Sequence, residues 1–195
     1  MGFLARSAAH SAAKDAANQE WIRLLKEAKT LTVGPHAYLD AFTKASGFQL
    51  RTTEALLAEG VSPLLLFSAN LDKGIVDHLA KVGVNAVNSK WEDALPSWPK
   101  LRGIFLDLCS GSAAVIICHL TALWDHCHKN CVLGFTIVQR DFDGEFLVMR
   151  VLWIVDLLLV QGWKPARGPL YSSTLPYRNS CGFQVVLQFW TLGQD

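Results

Sequence analysis

The sequence predicts an α/β fold: a three-layer α/β/α sandwich around a mostly parallel, seven-stranded sheet that ends in an antiparallel C-terminal hairpin. Three observations predict it. Between positions 51 and 161, apolar runs of strand length alternate with segments of helical periodicity, the pattern of βαβ units. The runs are apolar at consecutive positions, as expected of strands covered by helices on both faces. The last two extended segments, 169–177 and 182–192, are joined only by Arg178-Asn179-Ser180-Cys181. A parallel crossover needs a dozen residues or more, so this pair must be antiparallel.

Each element has its own warrant. At 12–29, Ala17, Trp21, Leu24, Leu25 and Ala28 recur at helical spacing and form one apolar face. Residues 30–49 hold Leu31-Thr32-Val33, a Gly34-Pro35 break and Tyr38-Leu39-Asp40, and one strand is expected among them. A helix over 51–59 is closed by Gly60, the residue suited to a left-handed cap. A strand follows at 63–68. The helix at 72–82 carries Ile75, Val76, Leu79 and Val82 on one face and is closed by Gly83. Strands are expected at 84–88 and 102–108, then an apolar helix at 113–126. The β-branched content of 132–138 suits a central strand. A last helix spans 145–161 and stops at Gly162. Positions 1–195 thus read as one domain, with 1–29 as an N-terminal helical extension.

Composition narrows the function classes. A chain of 195 residues with 51% hydrophobic and 18% charged content can bury a large core. Its formal net charge of +1 advertises no nucleic-acid or anionic-membrane partner, although a local basic patch is compatible with it. The stretch 146–160 is the most apolar, but it contains Arg150 and Asp156 and is shorter than the ~20 residues needed to cross a bilayer. Five cysteines, an odd number at irregular spacing, suit reduced thiols and a cytoplasmic location. The Ala- and Ser-rich N-terminus has no acid before Asp15, which loosely fits an organellar import signal. Its low arginine content favours the frayed start of a helix instead.

The most informative segment is Asp107-Leu108-Cys109-Ser110-Gly111-Ser112, directly after the apolar run Gly103-Ile104-Phe105-Leu106. Together with Thr52-Thr53-Glu54-Ala55-Leu56, Asn70-Leu71-Asp72 and the strand beginning Val132-Leu133-Gly134-Phe135, it resembles a divergent group of class I S-adenosylmethionine-dependent methyltransferases. These fragments stand in the right order on the right elements, and the resemblance covers the chain from about position 30 to its end. It implies a seventh strand inserted antiparallel beside the fifth, and S-adenosylmethionine as cofactor. One feature departs from the family: no G-x-G-x-G turn follows the first strand, where only Gly34-Pro35 and Ser46-Gly47 are present.

In open parallel sheets, ligands settle beyond the carboxyl ends of the strands, where strand order reverses. That rule and the resemblance together give the candidate cofactor residues Asp40, Gly47, Thr52, Thr53, Asn70, Asp72, Ser89, Trp91 and Ser110, of which Gly47, Thr52 and Thr53 are implied by the resemblance. Asn70 and Asp72 stand where the resemblance implies contacts to ribose hydroxyls, and either also suits a helix cap. Thr52 and Thr53 begin a helix whose N–H groups suit a carboxylate, or serve as ordinary caps. Trp91 can lie against an adenine ring or fill the core. The catalytic candidates are Asp107, to accept a hydrogen bond from donor or acceptor, and Cys109. A nucleophilic Cys109 requires a stabilised thiolate; the alternative is a small apolar filler.

The run from Cys118 to Cys131 holds further cysteines and histidines. If its helix continues, Cys127 and Cys131, or His128 and Cys131, share a face that suits zinc, but no paired C-x-x-C is present. No metal site is assigned. Two functions compete: a methyltransferase of unidentified acceptor, with RNA the choice by analogy and Arg102, Arg140, Arg167 and Arg178 as possible phosphate contacts, or a catalytically inactive interaction module on the same fold.

Overall fold

The computed structural model describes residues 3–39, 50–107, 113–138, 144–166, 174–178 and 184–193. Six helices and eight strands are assigned among them: α1 (Phe3–Glu27), β1 (His36–Tyr38), α2 (Arg51–Ala58), β2 (Leu66–Ala69), α3 (Lys73–Lys81), β3 (Asn85–Val87), α4 (Trp91–Ala94), β4 (Leu101–Leu106), α5 (Ala113–Leu123), β5 (Cys127–Val138), α6 (Gly144–Val160), β6 (Trp163–Pro165), β7 (Thr174–Arg178) and β8 (Gln184–Leu192).

The sheet runs β3-β2-β1-β4-β5-β8-β6, and β7 also pairs with β8. Strands β1 to β5 are parallel, and β8 enters antiparallel beside β5, from Val132↔Thr191 to Val138↔Val185. The other edge of β8 is shared. Its residues 190–192 pair with β6 and its residues 184–188 with β7. The sheet is therefore seven strands wide, with β6 and β7 end to end in the last position. The expected C-terminal hairpin is β7–β8.

Local chemistry accounts for the differences from the expected elements. Pro63–Leu65 forms a 3₁₀ turn, so β2 starts only at Leu66; proline at the start of a turn loses no ladder bond there. The helix expected to 126 ends at Leu123 and gives way to a 3₁₀ turn at Trp124–His126. Cys127 already belongs to β5, which starts five positions earlier than expected. Val82 is the C-cap of α3 and is 42% exposed rather than on its buried face. The short elements α4 and β6 were not expected, because four and three residues are too few to show a period. Gly60 and Gly83 end α2 and α3 at φ +79° and +87°, the left-handed conformation that glycine adopts without strain.

Two apolar clusters lie on opposite faces of the sheet. One joins α1, α2 and α3 to Tyr38, Leu66, Phe105, Val132 and Phe189. The other joins α4, α5 and α6 to Ala37, Ile104, Leu106, Leu133, Phe135 and Trp190. Alternate residues of β4 and β5 thus face opposite helix layers, which is why both strands read as unbroken apolar runs.

Helix α1 contributes buried side chains to the cluster on one face of the sheet. Trp21 and Leu25 of α1 are fully buried. Trp21 stacks on Phe105 at 5.4 Å, and Phe105 in turn on Phe189 at 6.4 Å. Beneath these rings lies Gly134, paired with both phenylalanines across the strands. A Cβ there would stand 2.6 Å from Phe105 and 2.9 Å from Phe189, so glycine makes room for the aromatic row. Helix α1 runs from the carboxyl end of β4, where Lys14 reaches Asp107, to its amino end, where Leu25 lies against Gly103.

Candidate functional site

Strand order reverses between β1 and β4: the chain leaves β1 for β2 on one side, and β4 flanks it on the other. The two carboxyl ends are held level, since the Leu39 amide donates to the Phe105 carbonyl at 3.1 Å. Asp107 is the first residue beyond β4. Its carboxylate is ion-paired with Lys14 of α1 through Oδ2 and accepts from the Thr136 hydroxyl of β5 at 3.1 Å through Oδ1. At 12% side-chain exposure it is shielded yet not sealed. An ammonium and a hydroxyl thus orient one carboxylate at the switch point.

A second group surrounds the start of α2. Thr52 donates to Asn18 Oδ1 at 3.1 Å, and Thr53 Oγ1 shares a 2.8 Å hydrogen bond with the Tyr38 hydroxyl at the end of β1. Ser68 donates to the Tyr38 carbonyl, and Arg51 pairs with Asp15 at 2.7 Å. The N-cap position is Leu50, which offers no side-chain hydrogen bond to the helix. The hydroxyls of Thr52 and Thr53 therefore tie α2 to α1 and β1.

The third group lies beyond β2 and β3. Asp72 is the N-cap of α3, where Oδ1 accepts from the Gly74 and Ile75 amides at 2.8 and 3.4 Å. Asn70 Oδ1 accepts from the Asp72 amide at 2.9 Å, and the Asn70 carbonyl accepts from Asn88. Ser89 donates to the Lys90 carbonyl. Trp91, the first residue of α4, is 6% exposed and packs on the His119 ring at 5.1 Å, and its buried Nε1 has no hydrogen-bond partner among the described residues. His119 in turn lies 3.1 Å from Glu92; burial lowers its pKa, and the Glu92 charge opposes that shift.

Asp40, Gly47, Cys109 and Ser110 lie outside the described residues, as do Leu108, Gly111 and Ser112. Gly34 precedes β1, and a Cβ there would run into the Arg102 side chain, so this glycine accommodates Arg102. That contact also places Arg102 at the amino end of the sheet, away from the carboxyl edge.

The helical zinc arrangement is corrected: the helix stops before Cys127, so Cys127, His128 and Cys131 are strand residues. The Cys127 thiol donates to the Leu123 carbonyl at 3.1 Å, and burial pushes the Cys131 thiol well above its usual range, aided by Cys127. Among the described residues, no three His, Cys, Asp or Glu side chains are grouped to hold a metal. No described helix is long and apolar enough to cross a membrane.

Lys14, Asn18, Tyr38 and Thr136 complete this edge, and none was singled out in the sequence. Lys14 is 93 positions from Asp107, so no local spacing reports their contact. The only available signal was a lysine on the helix face that carries Ala17, Trp21 and Leu25.

No family model matches the chain, and no curated protein matches it in sequence. Solved structures do match. Magnesium protoporphyrin IX methyltransferase from Synechocystis PCC 6803, with bound S-adenosylhomocysteine, superposes with a TM-score of 0.61 over 94% of this chain and 85% of its own, at 9% identity. An O-methyltransferase from Bacillus cereus, also in complex with S-adenosylhomocysteine, gives 0.55 over 97% and 100%, at 10% identity. An rRNA methylase from Streptococcus thermophilus gives 0.54 over 89% and 94%, at 14% identity. The fold is that of the class I methyltransferases.

Proposed function

We propose that this chain is an S-adenosylmethionine-dependent methyltransferase whose donor site follows the carboxyl edge of β2, β1 and β4, with Asp107 where donor and acceptor meet. The observation that carries the reading is Asp107 itself. It is a shielded carboxylate at the switch point, held between Lys14 and Thr136, in a fold shared with methyltransferases crystallised with S-adenosylhomocysteine.

The described residues suit the cofactor in kind. Asp72 caps α3 through Oδ1, which leaves Oδ2 to accept from a ribose hydroxyl beside Asn70. The start of α2, with Leu50 as a non-polar N-cap, directs positive helix-dipole charge at a carboxylate. When bound, S-adenosylmethionine supplies an electrophilic methyl group. Asp107 accepts a hydrogen bond from the donor's amino group or from the acceptor's N–H or O–H. Lys14 and Thr136 hold that carboxylate in place. We take RNA as the working acceptor, by analogy with the rRNA methylase, and a reducing compartment such as the cytoplasm as its location, in keeping with the free thiols of Cys118, Cys127 and Cys131.

Calorimetric titration with S-adenosylmethionine and S-adenosylhomocysteine tests the reading. Binding that is lost in Asp107→Ala and kept in Asp77→Ala, with both variants folded, supports it. No binding to the wild type at millimolar ligand would sink it. The alternative, a non-catalytic interaction module, has one observation in its favour: α6 leaves Leu152, Trp153, Leu159 and Val160 exposed along one side.

A further inference from the structure

The opposite edge of the sheet carries a separate concavity of about 520 Å³, within the size range of small-molecule sites. Leu24 of α1 and Ala28 just beyond it form part of its apolar wall, and Lys29, Asn130 and Lys164 contribute polar groups. Strand register fixes the place: Gly103, Val132, Thr191 and Lys164 stand side by side across β4, β5, β8 and β6, and Asn130 lies two residues nearer the amino edge. The site is thus on the far side of the sheet from Asp107.

Among the described residues that line it, the unpaired charge is positive. Glu27 also lines the concavity, but its carboxylate is paired with Arg23. Neither Lys29 nor Lys164 forms an ion pair among the described residues. Lys29 closes α1 through its backbone, in the left-handed conformation, with its amide bonded to Lys26 and that of Thr30 to Leu25, so its ammonium is not needed for the last carbonyls. Lys100, Arg102 and Lys129 also belong to the amino ends of β4 and β5. Lys100 and Arg102 lie close enough to His128 to disfavour its protonation, in addition to burial. Two acids beside the concavity, Glu27 and Glu59, are each paired with a cation of α1, Arg23 and Lys26.

We infer that this amino-edge concavity binds phosphate groups, with Lys29 and Lys164 as the paired cations and Asn130 as a hydrogen-bonding partner. The source is either the backbone of a single-stranded polynucleotide, tracking toward Lys129 and Arg102, or a free phosphate compound. The inference does not depend on a methyl donor at Asp107.

The test uses the full chain, a labelled oligoribonucleotide of about 20 nucleotides, and pyrophosphate. In anisotropy titrations over a salt series, Lys29→Gln/Lys164→Gln should weaken RNA binding at least about tenfold and flatten the log–log salt slope by about 1.4, the value for two lost contacts to a single strand. Lys164→Glu alone, on an exposed strand position, should act in the same direction. The control Lys73→Gln/Lys81→Gln removes equal charge elsewhere and should bind as wild type. Pyrophosphate binding that is lost in the same variants, without RNA binding, assigns the site to a free phosphate compound. Wild-type binding of both ligands by the Lys29/Lys164 variants, or binding of neither ligand by the wild type, overturns the inference.

Discussion

Replacing Trp21 with alanine tests whether α1 belongs to the domain. The indole is fully buried, stacks on Phe105 at 5.4 Å and donates to the Val132 carbonyl at 3.4 Å. A buried tryptophan removes about 250 Å² from water, and at about 25 cal/mol per Å² that corresponds to roughly 6 kcal/mol, before credit for the remaining Cβ and for relaxation. Tryptophan-to-alanine changes in cores cost about 3–5 kcal/mol. The same range is expected here. For a domain of this size, each kcal/mol moves Tm by about 2–4 °C, so a fall of roughly 10 °C should accompany it. Urea unfolding followed by circular dichroism measures the loss. A cost below about 1 kcal/mol, with an unchanged m value, would refute the reasoning and make α1 a detachable extension. Because Lys14 lies two turns from Trp21, loosening α1 should also free Asp107 and weaken any ligand bound there.

Three further outcomes follow from named contacts. Gly134→Ala should lower the urea midpoint by an amount equivalent to about 1–3 kcal/mol, as overpacking does, and Phe105→Leu in the same chain should recover part of it. Burial lowers the pKa of His36 from 6.5 against the opposing Leu31 and Thr30 carbonyls, so below that pH the unfolded chain takes up a proton that the folded chain resists. Stability should therefore fall as pH drops below 6.5, by at most about 1.4 kcal/mol per pH unit for each such histidine, and His36→Leu should reduce the slope measured by unfolding at pH 7.5, 6.5 and 5.5. Brief iodoacetamide treatment of the native protein should label exposed Cys118 and spare Cys131, whose thiol is buried and pushed well above its usual range; peptide mass mapping that found Cys131 labelled at the same rate would contradict that burial.

Periodicity and end signals carried much of the fold. The α1 face of Ala17, Trp21, Leu24 and Leu25, the caps at Gly60 and Gly83, and the short link before β8 are local facts, because backbone sterics and side-chain spacing act over a few residues. Local reasoning failed where elements are too short for a period, as in α4 and β6, and where an extended chain competes with a helix. Cys127 and Cys131 read as one helical face, yet both are in β5 because that strand pairs with β4 as far back as Leu101.

The candidate site divides in the same way. Asp107 was legible in the sequence because a strand end identifies itself locally. Its partners were not: Lys14 and Thr136 stand 93 and 29 positions away, and only the packing of α1 and the β4–β5 register bring them to its carboxylate. The sequence alone established the layered α/β plan, the antiparallel ending and Asp107 beyond a central strand. Tertiary structure decided that Trp21 and Leu25 of the first helix are buried in the core, that an ammonium and a hydroxyl orient Asp107, and that Lys29 and Lys164 share a concavity at the opposite edge. Hydrophobic period is a property of neighbouring residues, whereas a charged pair at a sheet edge exists only after distant elements have packed.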